Sequence, residues 1–246
     1  MIRARFLIPP WSPDPTNSLK EAATPLRLIV FDCDGTLVDS LGAIMTAMTA
    51  AFAELGLPAP DADAIRGLIG LSLEETARRL RPQDGASDHL RLVETYRRHS
   101  LELRSRPVPP DTLFPYTHAT IQALDAAGFA LGVATGKSRA GLDATLANHN
   151  LQDCFLTRQT ADKHPGKPHP GMLLQAMAEA GVTAEDTLML GDTSFDMAMA
   201  VNAGVTPVGV AWGYHDVAAL RNAGARTILE DFRDLLPFLN GHWPPP

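Results

Sequence analysis

Short apolar runs alternate with amphipathic segments along most of the chain, and this alternation constrains the fold more than any other feature. The candidate strands are residues 26–31, 129–135, 154–157, 187–191, 206–212 and 226–230. The segments between them are rich in Ala and Leu, and several end on Gly or Asn, as helices often do. This pattern predicts an α/β fold, in which a doubly wound parallel sheet is covered by helices on both faces.

The alternation is interrupted between Leu41 and Arg106, where only helical patterns occur. A helical insert after the first strand is therefore expected, and the proline-rich stretch 107–116 would return the chain to the sheet as a semi-rigid hinge. The expected domain limits are a core at 25–39 and 107–241 and a helical insert at 40–106. Residues 1–24 are interrupted by prolines and are expected to form a disordered N-terminal extension.

The composition limits the class of partner. The chain has 246 residues and a formal net charge of −7, and no dense block of Lys and Arg stands out. Nucleic acid and anionic membranes are therefore not expected as partners, and a small molecule is. No run approaches the roughly 18 apolar residues of a membrane span. Only two cysteines occur, which fits a reducing cytoplasm. The sequence does not decide between a monomer and a homodimer.

Reactive polar residues follow the candidate strands. In an open parallel sheet the ligand site lies beyond the carboxyl ends of the strands. The residues expected at this edge are Asp32 and Asp34, then Thr135 and Gly136, then Lys167, and finally Asp192 and Asp196. Each of these groups alone could be a turn, a helix cap or a surface charge. Because all four groups are expected at the same edge of the sheet, together they indicate one site.

Asp32 and Asp34 raise a question of charge, because two carboxylates beside each other at the end of a buried strand repel. A cation is expected to compensate them. Lys167 could supply part of that charge, and Asp192 could complete an oxygen site for a hard divalent ion, for which Mg²⁺ is suitable. Asp196 could support this metal site and favour the start of a helix.

The same residues provide the groups that phosphoryl transfer requires. Asp32 could attack phosphorus and form an aspartyl-phosphate, and Asp34 could protonate the leaving group and then activate water. Thr135 and the Gly136 amide could donate hydrogen bonds to phosphate oxygens, and Lys167 could pair with both the nucleophile and the phosphate.

These motifs resemble the haloacid dehalogenase-like (HAD) superfamily, and in particular its phosphatase branch with a helical cap after the first strand. The match consists of DxDGT at 32–36, Thr135-Gly136, Lys167 in GKPHP and GDxxxD at 191–196, and it covers roughly residues 26–240. The resemblance implies a Rossmann-like core, with the stretch DGTLVDS coupling core and cap. It also implies that the metal is held by the Asp32 carboxylate, the Asp34 backbone carbonyl and Asp192, with Asp196 assisting.

The expected function is a Mg²⁺-dependent phosphatase that hydrolyses a small phosphorylated metabolite, either phosphoglycolate-like or a sugar phosphate. A phosphomutase like β-phosphoglucomutase and a pyrophosphatase remain open, because the same core machinery serves both. A non-catalytic phosphometabolite-binding protein is the alternative from another class. Dehalogenation is disfavoured, since that chemistry needs no metal and no second aspartate.

Substrate identity is the part of the function for which the sequence offers least. Arg66 lies at a break between helical patterns and could meet a second anionic group of the substrate. A solvated helix arginine explains it equally well. Arg97, Arg98 and Arg104 carry no stronger signal.

Overall fold

Six parallel strands form the central sheet of the computed structural model, which describes residues 25–106 and 111–243. Their spatial order is β5, β4, β1, β6, β7, β8. The chain also contains a separate antiparallel pair, β2 and β3. The strands are β1 (Leu28–Phe31), β2 (Val38–Asp39), β3 (Thr112–Leu113), β4 (Ala130–Thr135), β5 (Thr157–Thr160), β6 (Thr187–Gly191), β7 (Thr206–Val210) and β8 (Thr227–Leu229).

Helices cover the sheet on both faces and form a separate cap. The helices are α1 (Leu41–Glu54), α2 (Ala62–Arg66), α3 (Leu73–Leu80), α4 (Ala86–Arg104), α5 (Thr117–Ala126), α6 (Arg139–Asn148), α7 (Gly171–Ala180), α8 (Ser194–Ala203), α9 (Val217–Asn222) and α10 (Leu235–His242), with a 3₁₀ turn at Phe232–Asp234. The predicted α/β fold, a doubly wound parallel sheet with a helical insert, is confirmed.

Successive residues of β1 point to opposite faces of the sheet, as expected of any strand. Ile29 and Phe31 belong to a core cluster beneath α5, α6 and α10, whereas Leu28 and Val30 belong to a second cluster beneath α7 and α8. All four residues of β1 are fully buried. This is why the first strand reads as a continuous apolar run rather than an alternating one.

The cap consists of α1 to α4 and has a hydrophobic cluster of its own. Met48, Phe52, Ile65 and Leu92 are buried in it, together with smaller residues of the same helices. The chain leaves the core after β2 and returns at β3, and these two short strands pair with each other. The two crossings between core and cap therefore lie side by side.

The fifth strand is not where the apolar pattern indicated it. The prediction of a strand at 154–157 was wrong, because β5 runs from Thr157 to Thr160 and is the polar stretch TRQT. Thr157 and Gln159 are nevertheless buried, and Glu179 of α7 accepts hydrogen bonds from both side chains at 2.6 and 2.9 Å. A polar edge strand is stabilised here by a side-chain network that no hydropathy pattern signals.

Some expectations stay predictions. The N-terminal extension at 1–24 lies outside the described residues, as do residues 107–110, the first four of the proline-rich stretch. The proposed domain limits likewise stay a prediction. Among the helices of the described chain, none has the length and apolar character needed to cross a membrane.

Candidate active site

The sheet reverses its winding at β1, since β4 and β5 lie on one side of this strand and β6, β7 and β8 lie on the other. Such a switch point opens a crevice at the carboxyl ends of the central strands. Asp32 directly follows β1, Thr135 ends β4 and Asp192 directly follows β6. Three strands thus bring their terminal side chains to one place.

Three buried carboxylates form the centre of this crevice. One oxygen from each of Asp32, Asp192 and Asp196 lies within 4.8 Å of the others, and all three residues are fully buried. Asp196 is held by the start of α8, where its Oδ2 accepts hydrogen bonds from the Thr193 amide at 3.0 Å and the Thr193 hydroxyl at 2.7 Å. This reciprocal capping box fixes the carboxylate while it satisfies the helix N-terminus.

Lys167 neutralises part of this charge. Its Nζ lies 2.8 Å from Asp32 Oδ1 and 2.6 Å from Asp196 Oδ1, and its side chain has no solvent exposure. Burial disfavours the ammonium form, but the charges of Asp196 and Asp32 outweigh burial and raise the pKa of Lys167. The lysine is therefore a permanent cation between two of the three carboxylates.

One lysine does not balance three carboxylates. Burial is the main reason that the pKa of Asp32 rises to about 7, with the neighbouring Asp196 charge adding to the rise against the pull of Lys167. Burial also raises the pKa of Asp192 well above its ordinary value, and the Asp196 and Asp32 charges act in the same direction. The cluster is thus short of positive charge at neutral pH.

Glycines leave room for the Asp192 carboxylate. A Cβ atom at Gly35 would lie 2.1 Å from Asp192 Oδ2, and one at Gly213 would lie 2.1 Å from its Cβ. Gly35 also has a positive φ of 83°, which other residues rarely adopt. In this space Asp192 accepts hydrogen bonds from the Thr36 hydroxyl at 2.8 Å and the Tyr214 amide at 3.0 Å. The backbone is built closely around this one side chain.

The chemistry of the cluster fits a hard divalent cation. Its donor atoms are all carboxylate oxygens, the type that Mg²⁺ prefers. Asp32 Oδ2 is buried and has no hydrogen-bond partner among the described residues, so this oxygen is available to a cation. A buried acceptor without a partner is costly unless something occupies its lone pairs.

Asp34 lies apart from the three-carboxylate cluster. Its Oδ1 is 2.7 Å from the Nζ of Lys137 and accepts a hydrogen bond from the Ser40 hydroxyl. Ser40 in turn donates its amide to the Tyr214 hydroxyl at 2.9 Å. Because Asp34 borders the cavity between cap and core, its side chain is accessible to a molecule bound there. The two neighbouring aspartates therefore face different surroundings.

Thr135 and Gly136 end β4 beside the cap. Thr135 is buried and pairs with Thr160 of β5. A Cβ atom at Gly136 would lie only 2.4 Å from the backbone oxygen of Leu71, so the cap loop at 70–72 sits directly on this strand end. Only a residue without a side chain allows this approach.

A cavity of about 130 Å³ lies between cap and core. Asp34, Gly136 and Lys137 line its core end, and α1, α3 and α4 contribute most of the opposite wall. Arg66, the candidate for a second anion, is exposed at the end of α2 and is not among the lining residues. The structure does not bring Arg66 together with the other candidate residues.

The sequence analysis does not identify Lys137 or Tyr214 as site residues. Thr36 lies in the motif DxDGT and Ser40 in the stretch DGTLVDS, but their contacts with Asp192 and Asp34 are not predicted. Lys137 stands only two residues after Thr135, and a lysine directly after a strand end was the one signal that could have found it. Tyr214 contacts Ser40, from which it is separated by 174 positions in the chain. Contacts over such separations leave no local pattern in a single sequence.

A buried aspartate and lysine centre at the switch point, covered by a helical cap inserted after the first strand, defines a class of capped α/β proteins. The chain belongs to the haloacid dehalogenase-like hydrolase family, whose model matches residues 29–210. The resemblance drawn from the four motifs is thereby confirmed.

Individual relatives cover nearly the whole chain. The chain is 35% identical over 213 residues to the probable phosphatase IndB of Dickeya dadantii, covering 85% of this chain and 91% of that protein. It is 30% identical to a phosphoglycolate phosphatase of Yersinia pestis, covering 86% of this chain and 92% of that protein. A solved haloacid dehalogenase-like hydrolase from Streptococcus pneumoniae superposes with a TM-score of 0.75 at 28% identity, covering 87% of this chain and 98% of the other.

Proposed function

We propose that the protein is a Mg²⁺-dependent phosphatase that hydrolyses a small phosphomonoester through an aspartyl-phosphate on Asp32. The observation that carries the proposal is the joint arrangement of the buried three-carboxylate cluster, Lys167 and the separately held Asp34. A phosphoglycolate-like compound and a sugar phosphate are the candidate substrates. The names of the relatives from Dickeya dadantii and Yersinia pestis support a phosphatase.

In the first step, an Asp32 carboxylate oxygen forms a bond to phosphorus while the bond between phosphorus and the alcohol oxygen breaks. Lys167 lies 2.8 Å from Asp32 and supports this role, because its charge favours the ionised nucleophile. Thr135 and the Gly136 amide, at the adjacent strand end, would donate hydrogen bonds to the phosphate oxygens.

Asp34 would handle the protons. Its carboxyl group gives a proton to the departing alcohol oxygen, and the resulting carboxylate then takes a proton from the attacking water. Water adds to phosphorus, the acyl-phosphate bond breaks, and Asp32 is regenerated with release of inorganic phosphate. The position of Asp34 at the cavity wall supports this assignment, since the alcohol portion of a substrate would occupy that cavity.

Asp32, Asp192 and Asp196 would hold the magnesium ion, together with the Asp34 backbone carbonyl that the family resemblance implies. When bound, Mg²⁺ supplies positive charge that stabilises the ionised carboxylates and the phosphate oxygens. The raised pKa values of Asp32 and Asp192 support this assignment, because they indicate that the cluster lacks compensating charge.

The test is phosphate release by the purified protein from a panel containing 2-phosphoglycolate, sugar phosphates, nucleotides and pyrophosphate, with Mg²⁺ and with EDTA. We expect metal-dependent turnover, and we expect Asp32→Asn to reduce kcat by at least about 1,000-fold, as loss of a nucleophile does in other hydrolases. Asp61→Asn, an exposed aspartate before α2, is the matched control and should leave kcat unchanged.

Undiminished turnover in Asp32→Asn would refute the aspartyl-phosphate. Isomerisation of a sugar phosphate without net phosphate release would instead identify a phosphomutase, and a dominant rate with pyrophosphate would identify a pyrophosphatase. Tight binding of phosphate esters by folded, Mg²⁺-loaded protein without any turnover would identify a binding protein.

A further inference from the structure

Arg104 differs from the other arginines of α4. Arg91, Arg97 and Arg98 each have a carboxylate partner within 4 Å, respectively Asp88, Glu74 and Glu54. Arg104 is half-buried at the end of the helix and has no carboxylate partner within that distance among residues 25–106 and 111–243. A partly desolvated guanidinium without a counter-ion is unusual, since burial of a charge is costly unless it is paired.

The Arg104 side chain lines the cavity that begins at Asp34. Its Nη1 lies 3.6 Å from the Cβ position of Gly141, near the start of α6, so the side chain reaches across from cap to core. Burial raises the pKa of the Tyr96 phenol, and the charges of Lys137 and Arg104 both oppose that rise. Tyr96 therefore lies close enough to both Lys137 and Arg104 for their charges to act on its phenol group.

The other charged groups of the cavity wall already have partners. Lys137 pairs with Asp34, and Arg97 pairs with Glu74. Asp162 accepts hydrogen bonds from the Thr160 hydroxyl and the Arg139 amide, and Asp111 accepts one from Thr145. Within the described part of the chain, Arg104 is thus the cavity cation that remains available to a ligand.

Size and polarity narrow the ligand further. A volume of about 130 Å³ has room for on the order of ten water-sized groups, which is enough for a chain of two or three carbons with one charged group. Ile44, Met48, Leu68 and Leu103 make much of the wall apolar. In such surroundings an ion pair between Arg and an anion is stronger than in water. The planar guanidinium group also favours anions that can accept two parallel hydrogen bonds.

We infer that Arg104 is a specificity-determining residue that pairs with a second anionic group, a carboxylate or a phosphate, on a small phosphomonoester whose reacting phosphate lies at Asp32. This inference rests on the proposed phosphatase function and narrows its substrate class to short esters with an anion at the far end. Arg104 takes no part in bond making; it distinguishes such esters from their uncharged counterparts.

The first experiment compares matched pairs of substrates by kcat/KM. 2-Phosphoglycolate and ethyl phosphate differ by a carboxylate, and 1,3-propanediol bisphosphate and propyl phosphate differ by a second phosphate. The wild-type protein should prefer the doubly anionic member of at least one pair by about 10- to 100-fold, the range expected of a partly buried charge-assisted hydrogen bond. The pair with the larger ratio identifies the anion.

Three variants decide whether Arg104 causes that preference. Arg104→Met should abolish it by lowering kcat/KM for the anionic member alone, and Arg104→Lys should restore part of it. Arg98→Met is the matched control, because Arg98 lies on the same helix, pairs with Glu54 and does not line the cavity. It should keep the wild-type ratio. A merely structural role of Arg104 would lower kcat/KM for both members equally.

Affinity is measured in parallel by calorimetry on the Asp32→Asn background with Mg²⁺, where turnover should be at least about 1,000-fold slower. Tighter binding of the doubly anionic ester that is lost in Arg104→Met supports the inference. If that binding is found but the wild-type protein hydrolyses no ester, the proposed function is wrong and the anion site at Arg104 is still supported. Turnover of uncharged esters with no preference for a second anion overturns the inference and leaves the proposed function intact. Equal effects of Arg104→Met on both members also overturn it.

Discussion

Replacing Lys167 by Met is a perturbation for which the structure predicts a large and pH-dependent loss of stability. The substitution removes the cation that lies 2.8 Å from Asp32 and 2.6 Å from Asp196, in a place without solvent. Methionine fills a similar volume, so the loss is mainly one of charge. Three buried carboxylates then remain without a protein cation in contact with them.

The loss in free energy of unfolding can be calculated from the protonation of the carboxylates. The cluster relieves its excess negative charge at least cost by taking up about one further proton. Holding a proton on a carboxyl group with an ordinary pKa of 3.8 at pH 7 costs about 4 kcal/mol, because each pH unit is equivalent to about 1.4 kcal/mol. Breaking other buried ion pairs costs about 3–5 kcal/mol. At pH 5 the same calculation leaves about 1.6 kcal/mol.

The assay is thermal or urea unfolding of metal-free protein in EDTA at pH 7 and pH 5. For a chain of this size, about 4 kcal/mol corresponds to a Tm that is lower by about 8–16 °C, and the deficit should shrink by more than half at pH 5. Lys163→Met, an exposed lysine four residues earlier, is the matched control and should change stability by less than about 0.5 kcal/mol.

Two results would refute the reasoning. A deficit of equal size at pH 7 and pH 5 would mean that lost packing, and not unbalanced charge, causes the destabilisation. A variant no less stable than Lys163→Met would mean that the cluster does not need this lysine. Addition of Mg²⁺ should recover part of the lost stability at pH 7, since another cation then compensates the carboxylates.

Three further predictions concern the metal, the cap loop and the acid. The Asp32 carboxyl keeps its proton up to about pH 7 in the folded protein but releases it near pH 3.8 in the unfolded chain. Metal-free protein should therefore lose stability as the pH rises from about 4 to about 7. The rise in Tm on addition of Mg²⁺ should accordingly be larger at pH 7.5 than at pH 5.5. Gly136→Ala should displace the loop at 70–72 and lower kcat/KM about 10- to 100-fold, whereas Gly241→Ala, in open space, should have no effect. Lys137→Met should lower kcat about 10- to 100-fold with little change in KM, measured by steady-state kinetics, because Asp34 loses the ion pair that orients it.

The sheet was largely predictable because parallel strands buried on both faces leave continuous apolar runs. Five of the six runs contain the whole of an observed strand, and all four residues of the central strand β1 are buried. The exception was β5, whose polar sequence TRQT is compatible with a strand only because Glu179 of α7 receives its side chains. That information lies in another helix, and hydropathy alone places the strand three residues too early.

The candidate site was predictable where a residue type and a strand end coincide, as for Asp32 and Asp192. Charge pairing was not predictable, because it depends on which side chains meet across the fold. The motif GKPHP identifies Lys167, whereas no motif identifies Lys137, although Lys137 lies as close to Asp34 as Lys167 lies to Asp32. Arg97, Arg98 and Arg104 look alike in the sequence, and only the positions of Glu74 and Glu54 in space distinguish the paired arginines from Arg104.

The pairing of β2 with β3 gives the molecule a modular construction. Because the chain enters and leaves the cap through two neighbouring strands, and because the cap has a hydrophobic cluster of its own, the insert resembles a cassette joined to its host at one seam. Every carboxylate and lysine assigned to the reaction lies in the host. A helical insert with different cavity-lining residues could therefore replace this one between Asp39 and Thr112. Such a replacement would change which ester is accepted and would leave the residues that act on the phosphate group unchanged.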